Sequence, residues 1–305
     1  MKLFYKDVPE HEYGTYPRRF ARYRWFRPLL AGVIALVIFL ILSNLTAGTA
    51  AAMSGNTEDF LTALSGGYDS FDSYSVLGIL AELGSIAMII PSLMIAAKIV
   101  RDRPFSSYGS AMGGFRIDLC LKSLIPSLAA LLPSIFYALF VDGRVGANRF
   151  SIVSFLLLLI IGPLQCIAEE YMFRGYIMQT VGSWTKVPLA GLLAQVLVFS
   201  LLHPYNFWGV LSVAVSGLTL GFLALYTKGL EAGSAFHIVN NMTGFILSGI
   251  GFGVIRTEVT MCDALFSVLS CVIVVVLTVI LQEKSHIYDK QKKDDAAEFN
   301  FKYPA

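Results

Sequence analysis

The chain has 305 residues, of which 56% are hydrophobic and only 14% charged, with a formal net charge of +2. Soluble globular domains carry roughly 25% charged residues. A mean hydropathy of +0.67 and several apolar runs of about 18 residues or more, enough to cross a hydrocarbon core of about 30 Å, exclude a cytosolic enzyme, a secreted disulfide scaffold and a nucleic-acid-binding module. What remains is an all-α polytopic membrane protein embedded in a lipid bilayer.

In chain order, residues 1–27 form a basic arm with Lys2, Lys6, Arg18, Arg19, Arg22, Arg24 and Arg27. Eight apolar segments follow within a membrane domain spanning 28–282: Pro28–Leu45, Val76–Ala97, Ser123–Val141, Ser151–Met178, Pro188–His203, Phe207–Thr227, Ala232–Ile255 and Ala264–Gln282. Residues 46–75, without Lys or Arg, read as an external loop, and 283–305 as a polar, mobile tail. The first segment also has the look of a secretory signal, with Ala50, Ala51 and Ala52 after it, although its basic arm and apolar run are both long for one.

An even number of spans puts both ends on one side. Of the 23 Lys and Arg residues, all except Arg144, Arg149 and Arg256 fall in the arm, the tail or the alternate loops on that side. The positive-inside rule then predicts cytoplasmic termini. The cysteines, Cys120, Cys166, Cys262 and Cys271, have no paired spacing and read as buried thiols.

Ionisable groups inside spans are expensive and are functional candidates by default. Here Glu169, Glu170 and Arg174 end the fourth segment, Phe199 and His203 the fifth, and His237, Asn240 and Asn241 lie in the seventh. Glu170 and Arg174, four apart, share a helix face and can pair. Glu169 is turned about 100° away. It is therefore the candidate reactive carboxylate, since a partly dry cavity makes a carboxylate a better base and a nearby imidazole can share its proton. His237 and Asn241, also four apart, offer two hydrogen-bond donors suited to a developing oxyanion. Phe199 packs beside His203 one turn away. Glu82, alone in the second segment, reads as interhelical glue or as loop-facing, and Asn240 as a core polar residue that adjoins the motif; Gly217 and Gly221 read as a close-packing pair.

The three motifs, Glu169-Glu170-xxx-Arg174 followed by Gly175, Phe199-xxx-His203 and His237-xxx-Asn241, resemble in order and spacing the CAAX protease and bacteriocin-processing family of intramembrane endopeptidases. The resemblance covers roughly 151–250. It implies an eight-helix fold with an intramembrane active-site cavity open to the membrane and cytosol. It also implies hydrolysis of a membrane-associated protein or peptide by a water that Glu169 and His203 activate, with the oxyanion held by His237 and Asn241 and with Glu170, Arg174 and Phe199 in support. Eukaryotic relatives remove the last three residues of prenylated CAAX proteins; other members are linked to bacteriocin processing or self-immunity.

No cofactor is required by that scheme. Members have also been described as metalloproteases, and in that case Glu169, His203 and His237 would be the three zinc ligands. The expected location is a bacterial cell membrane. Two rival readings stay open: a proton-coupled transporter that uses the glutamates as relays, and a non-catalytic immunity or scaffold protein. Against the transporter, no pair of broken helices occurs at matching positions in two halves. One mismatch also stands: counting 1.5 Å per residue from the cytoplasmic ends puts Glu169 and His237 about 8–13 Å deep but His203 about 22 Å deep.

Overall fold

The computed structural model describes residues 12–55, 72–253 and 258–304. Helices occupy all eight apolar segments, and no strand is present among the described residues beyond two isolated bridges, Ser110 to Gly229 and Arg144 to Phe252. In chain order they are α1 (Phe26–Ser54), α2 (Val76–Val100), α3 (Ile117–Asp142), α4 (Ile152–Thr185), α5 (Pro188–Leu201), α6 (Phe207–Thr227), α7 (Glu231–Gly249) and α8 (Met261–Ser285). Six of the eight are long and apolar enough to cross a membrane. The exceptions are α5, with 14 residues, and α7, whose first turn carries the fully buried Glu231. The expectation of eight equal spans is corrected to that extent.

Three boundaries differ from the sequence reading for a packing reason. Helix α1 continues to Ser54, so residues 46–54 are helical, and of the expected loop 56–71 lies outside the described residues. The alanines that resembled a cleavage site are its contact surface: Ala47, Ala50 and Ala51 pack against Ala81 of α2, small residues that allow close approach and favour helix. Helix α4 does not stop at Met178. Its backbone widens into a π-helical stretch at Tyr171–Met178 and then resumes as α-helix to Thr185. The polar Gln179, Thr180 and Ser183 that suggested an end are buried. Helix α7 stops at Gly249 rather than Ile255.

The membrane faces are uniformly apolar: Leu36, Val37, Leu40, Ile125, Leu132, Ile152 and Ile160 are all exposed on the helix surfaces, as lipid contact requires. The contacts between helices are made by small and polar groups. Gly217 and Gly221 of α6 sit against Phe199, Leu192 and Gln195 of α5, and a Cβ at Gly221 would lie 2.8 Å from the Gln195 amide. Glu82, in a π-helical turn of α2, accepts from Ser73 at 2.9 Å.

The described parts of both terminal segments, from residue 12 and up to residue 304, carry helix and pack onto the bundle, where the sequence reading expected a mobile tail. A 3-10 helix, Tyr13–Arg19, buries Tyr13 and Tyr16, and Arg18 donates to the Ser183 carbonyl at 3.1 Å. The tail returns through Tyr288, whose hydroxyl lies 2.6 Å from that of Ser123, to a short helix α9 (Asp295–Lys302). Phe299 of α9 packs edge-on against Phe20 at 5.5 Å, and Ala21 donates to Asn300 at 2.7 Å. Both described ends therefore lie on one face. Arg116 locks that face. It makes a two-pronged pair with Glu231, both contacts at 2.9 Å, and donates to the carbonyls of Tyr288 and Thr227. Arg103 is equally buried, bonded to Gln179 and stacked 3.6 Å over Tyr108. These two arginines, counted above as loop charges, are internal braces. Of the cysteines, Cys262 is exposed at the opposite face, the other three being buried.

The tail has one acid-sensitive tether. Burial works against charge on Asp289, but the Lys228 ammonium at 3.1 Å, with Gln282 and His286, outweighs it and holds the carboxyl below the usual carboxylate range. A carboxyl whose folded pKa is depressed stabilises above its unfolded value of about 3.9 and loses that stabilisation as pH falls through the lower folded value. The group is largely exposed, so the effect is under about 1 kcal/mol. Hydrogen exchange of residues 287–304 is expected to quicken between neutral pH and pH 3 in excess of the intrinsic pH dependence, and Asp289→Asn to remove that excess. An identical excess in the variant would refute the tether.

Candidate active site

The site is set by a helical hairpin. Counting along α4 and α5 from the turn at Thr185–Pro188, Glu169 lies 16 residues before it and His203 15 residues after it. At 1.5 Å per residue both are about 23 Å from the turn. The depth mismatch disappears because α4 is longer than its apolar run, with α5 starting at Pro188 as read.

Glu170 is the last α-helical residue before the π-helical stretch, a local widening common at functional sites. Gly175, inside that stretch, lets the backbone of Tyr108 approach, since a Cβ there would lie 2.8 Å from the Tyr108 carbonyl oxygen. Glu170 and Arg174 are both 0% exposed and pair at 3.0 Å. The same Glu170 Oε1 accepts from His237 Nδ1 at 2.8 Å. A carboxylate only accepts, so Nδ1 carries the proton and Nε2 faces the cavity. Arg174 stacks 4.5 Å over the Phe199 ring and reaches the Gly217 carbonyl at 3.5 Å, to which Gln195 also donates at 2.9 Å. The glycine pair of α6 thus has a second consequence, since it brings a helix carbonyl within reach of Arg174.

Glu169 differs from its neighbour in each of these respects. Its side chain is 12% exposed, and its Oε2 lies 3.4 Å from His237 Nε2. On the other side of that nitrogen sits the Asn241 amide, 3.2 Å away. His237 and Asn241 therefore meet each other at Nε2 instead of standing side by side. His203, two residues beyond α5, donates from Nδ1 to the Phe199 carbonyl at 2.7 Å, which leaves its Nε2 available to the cavity. The Phe199 ring is 4.6 Å from that of His203 and 6.3 Å from that of His237.

These side chains surround a cavity of about 280 Å³ lined by Phe199, His203, Tyr205, His237, Asn240 and Asn241, with Ser212 and Ser216 of α6 on the far wall. The structure brings Glu169, Glu170, Arg174, His237 and Asn241 into one bonded cluster and places Phe199 and His203 on the same cavity. The sequence reading missed Gln195 and Tyr205. Gln195 carried the signal used for the others, a polar side chain in an apolar span; Tyr205 follows His203 in a loop and carried none. Asn240, read as a core polar residue, is exposed on the cavity wall.

The cavity runs toward Tyr205 and Val259, in the loops at the end of the bundle away from the chain termini. At the other end the Arg116–Glu231 pair and the tail lie over the start of α7. Among the described residues no three His, Cys, Asp or Glu side chains are grouped to hold one ion.

Residues 150–243 match the family described as type II CAAX prenyl endopeptidase, Rce1-like, which bears out the resemblance carried by the three motifs. The uncharacterized protein YyaK of Bacillus subtilis (strain 168) is 29% identical over 167 residues, 50% of this chain and 55% of that protein. The chain therefore spans about half the length of that curated relative. No solved structure matches.

Proposed function

We propose that this integral membrane protein, whose residues 150–243 match the CAAX-type endopeptidases, hydrolyses peptide bonds of a membrane-associated protein or peptide with a water activated by Glu169. The observation that carries the reading is the different placement of two adjacent carboxylates around His237, whose imidazole lines the cavity. Glu170, wholly buried, is consumed by Arg174 and His237 Nδ1, while Glu169 keeps 12% of its side chain exposed beside Nε2 of the same imidazole.

In the proposed reaction Glu169, assisted by His203, takes a proton from water as its oxygen attacks the substrate carbonyl. The carbonyl oxygen, now negative, accepts from the Asn241 amide and from His237 Nε2–H; the scheme therefore requires His237 to carry a proton on each ring nitrogen and the Asn241 amide to turn from Nε2 to the oxyanion, with Nδ1–H held by Glu170. Collapse of the tetrahedral intermediate breaks the C–N bond, and the proton held on Glu169 passes to the leaving amine. Phe199 orients His203 through its ring and its carbonyl, and Arg174 anchors Glu170. A cleavage assay in vesicles, with ion uptake measured in parallel on wild type and Glu169→Gln, tests the reading. Peptide cleavage abolished by the substitution supports it; ion uptake without cleavage would replace it with the transporter.

We further propose a bacterial cell membrane with both termini cytoplasmic, on the asymmetry of Lys and Arg. Ser54 and Ser285 are exposed at opposite ends of the bundle. In a Cys262→Ser background, Ser54→Cys is expected to label with an impermeant maleimide in intact cells and Ser285→Cys only after lysis. Equal labelling of the two would sink the orientation.

A further inference from the structure

A second cavity, of about 300 Å³, lies between α3, α7 and α8. It shares two residues with the first, Asn240 and Ser267. We read the two as sections of one trough along α7, from His237 to Ser248, because Asn240 and Ser267 line both. Those 11 residues of helix span about 16 Å at 1.5 Å each, the length of about five residues of extended chain at about 3.3 Å. The trough leads away from the catalytic cluster toward the end of the bundle opposite the termini, where Asp142 and Phe252 line its mouth.

Its lining is unlike the lipid-facing surfaces. Ser134, Tyr137, Asn240, Thr243 and Ser267 place hydroxyls and an amide along walls that also carry Phe252 and Phe266. Ser134 is answered by Ser270 at 3.0 Å and Asn240 by Asn241 at 3.2 Å, but the row as a whole gives the trough polar walls, which inside a membrane face a cavity or a polar partner. Alternating polar groups and aromatic surface suit a peptide backbone with its side chains and do not suit an acyl chain. Gly244 adds an independent observation. Most helix glycines here permit a close contact, but a Cβ on Gly244 would meet nothing within 4 Å. A glycine costs a helix about 1 kcal/mol relative to alanine, and at this position it serves no packing; it keeps the floor of the trough clear.

We infer that the trough along α7 is a substrate-binding groove for an extended peptide, occupied over about five residues beyond the bond cleaved and entered from the face opposite the chain termini. This rests on the endopeptidase reading above and assigns Asn240, Thr243 and Gly244 to substrate selection. Asn240, between the two sections, hydrogen-bonds Asn241 at 3.2 Å and so links groove occupancy to the orientation of the proposed oxyanion donor.

The test uses randomised fluorogenic peptide pools of twelve and of four residues, the second too short to reach from the cluster to the mouth. Gly244→Leu is expected to lower kcat/KM for the long pool at least about tenfold more than for the short one, equivalent to about 1.4 kcal/mol, with its thermal unfolding in detergent unchanged and with Gly48→Leu, at an exposed glycine of α1 whose Cβ would likewise meet nothing within 4 Å, near wild type on both pools. Equal effects on both pools, or none, would overturn the groove. A binding arm is independent of turnover. In a Cys262→Ser, Glu169→Gln background, maleimide labelling of Thr243→Cys is expected to slow several-fold with the long pool and not with the short pool. Absence of that protection would overturn the groove even if cleavage is robust. Protection without cleavage by the parent enzyme would instead overturn the endopeptidase reading and leave a peptide-binding groove.

Discussion

Glu169→Gln is expected to leave the protein folded and to lower cleavage by about 10²–10⁴-fold, the contribution of a positioned general base. Glu170→Gln, one residue along, is expected to cost about 3–5 kcal/mol of stability, the penalty for leaving a buried charge without its partner. The contrast follows from the surroundings. The Glu169 side chain is partly exposed, and an amide of the same size can take its place beside His237. Glu170 is wholly buried and neutralises Arg174, itself 0% exposed, while accepting the Nδ1 proton of His237. A neutral amide at 170 strands the guanidinium in a dry site and loosens the imidazole. Thermal unfolding in detergent measures the first effect and peptide cleavage the second. A stable, inactive Glu170→Gln together with an active Glu169→Gln would reverse the two roles.

The second large effect is expected at Asn241. Asn241→Ala should lower the rate by about 10²–10³-fold, as removal of an oxyanion donor does, with little change in stability because the residue is only half-buried. Asn241→Asp is the sharper control, since an ionised carboxylate keeps the shape but offers no donor and adds a negative charge where one develops. Asparagine is a poor zinc ligand and a good N–H donor, so this position also separates the metal-free scheme from a metalloprotease. Purified active protein is expected to carry no stoichiometric transition metal, consistent with the lack of a three-ligand grouping among the described residues. One zinc per chain, with activity lost on its removal and regained on its return, would overturn the scheme.

Much of the molecule is legible in one dimension because the underlying free energies are local. Transfer of an apolar run into lipid depends on composition and length, which is why all eight segments could be read, and why polar exceptions within them stood out. The ion pair of Glu170 with Arg174 follows from a spacing of four on one helix. The glycine pair of α6 is likewise a local sign of close packing. These readings needed no partner to be known.

What only the tertiary structure decided depends on which surfaces meet. The sequence ended α4 at Met178 because Gln179, Thr180 and Ser183 look like a polar boundary. Their burial against the N-terminal segment and Arg103 reverses that inference and brings His203 level with Glu169. Tyr16 and Phe299 sit in polar stretches that read as solvated ends, yet they pack into the face carrying the termini. The bond from His237 to Glu170, the side toward which the cavity runs and the groove along α7 left no periodic trace. In a soluble protein the buried side of a helix is marked by apolar residues, whereas in a bilayer the lipid-facing side is equally apolar. Composition and spacing therefore determined the helices and the candidate polar residues, and contacts between helices alone determined how those residues face one another and toward which end of the bundle the cavity runs.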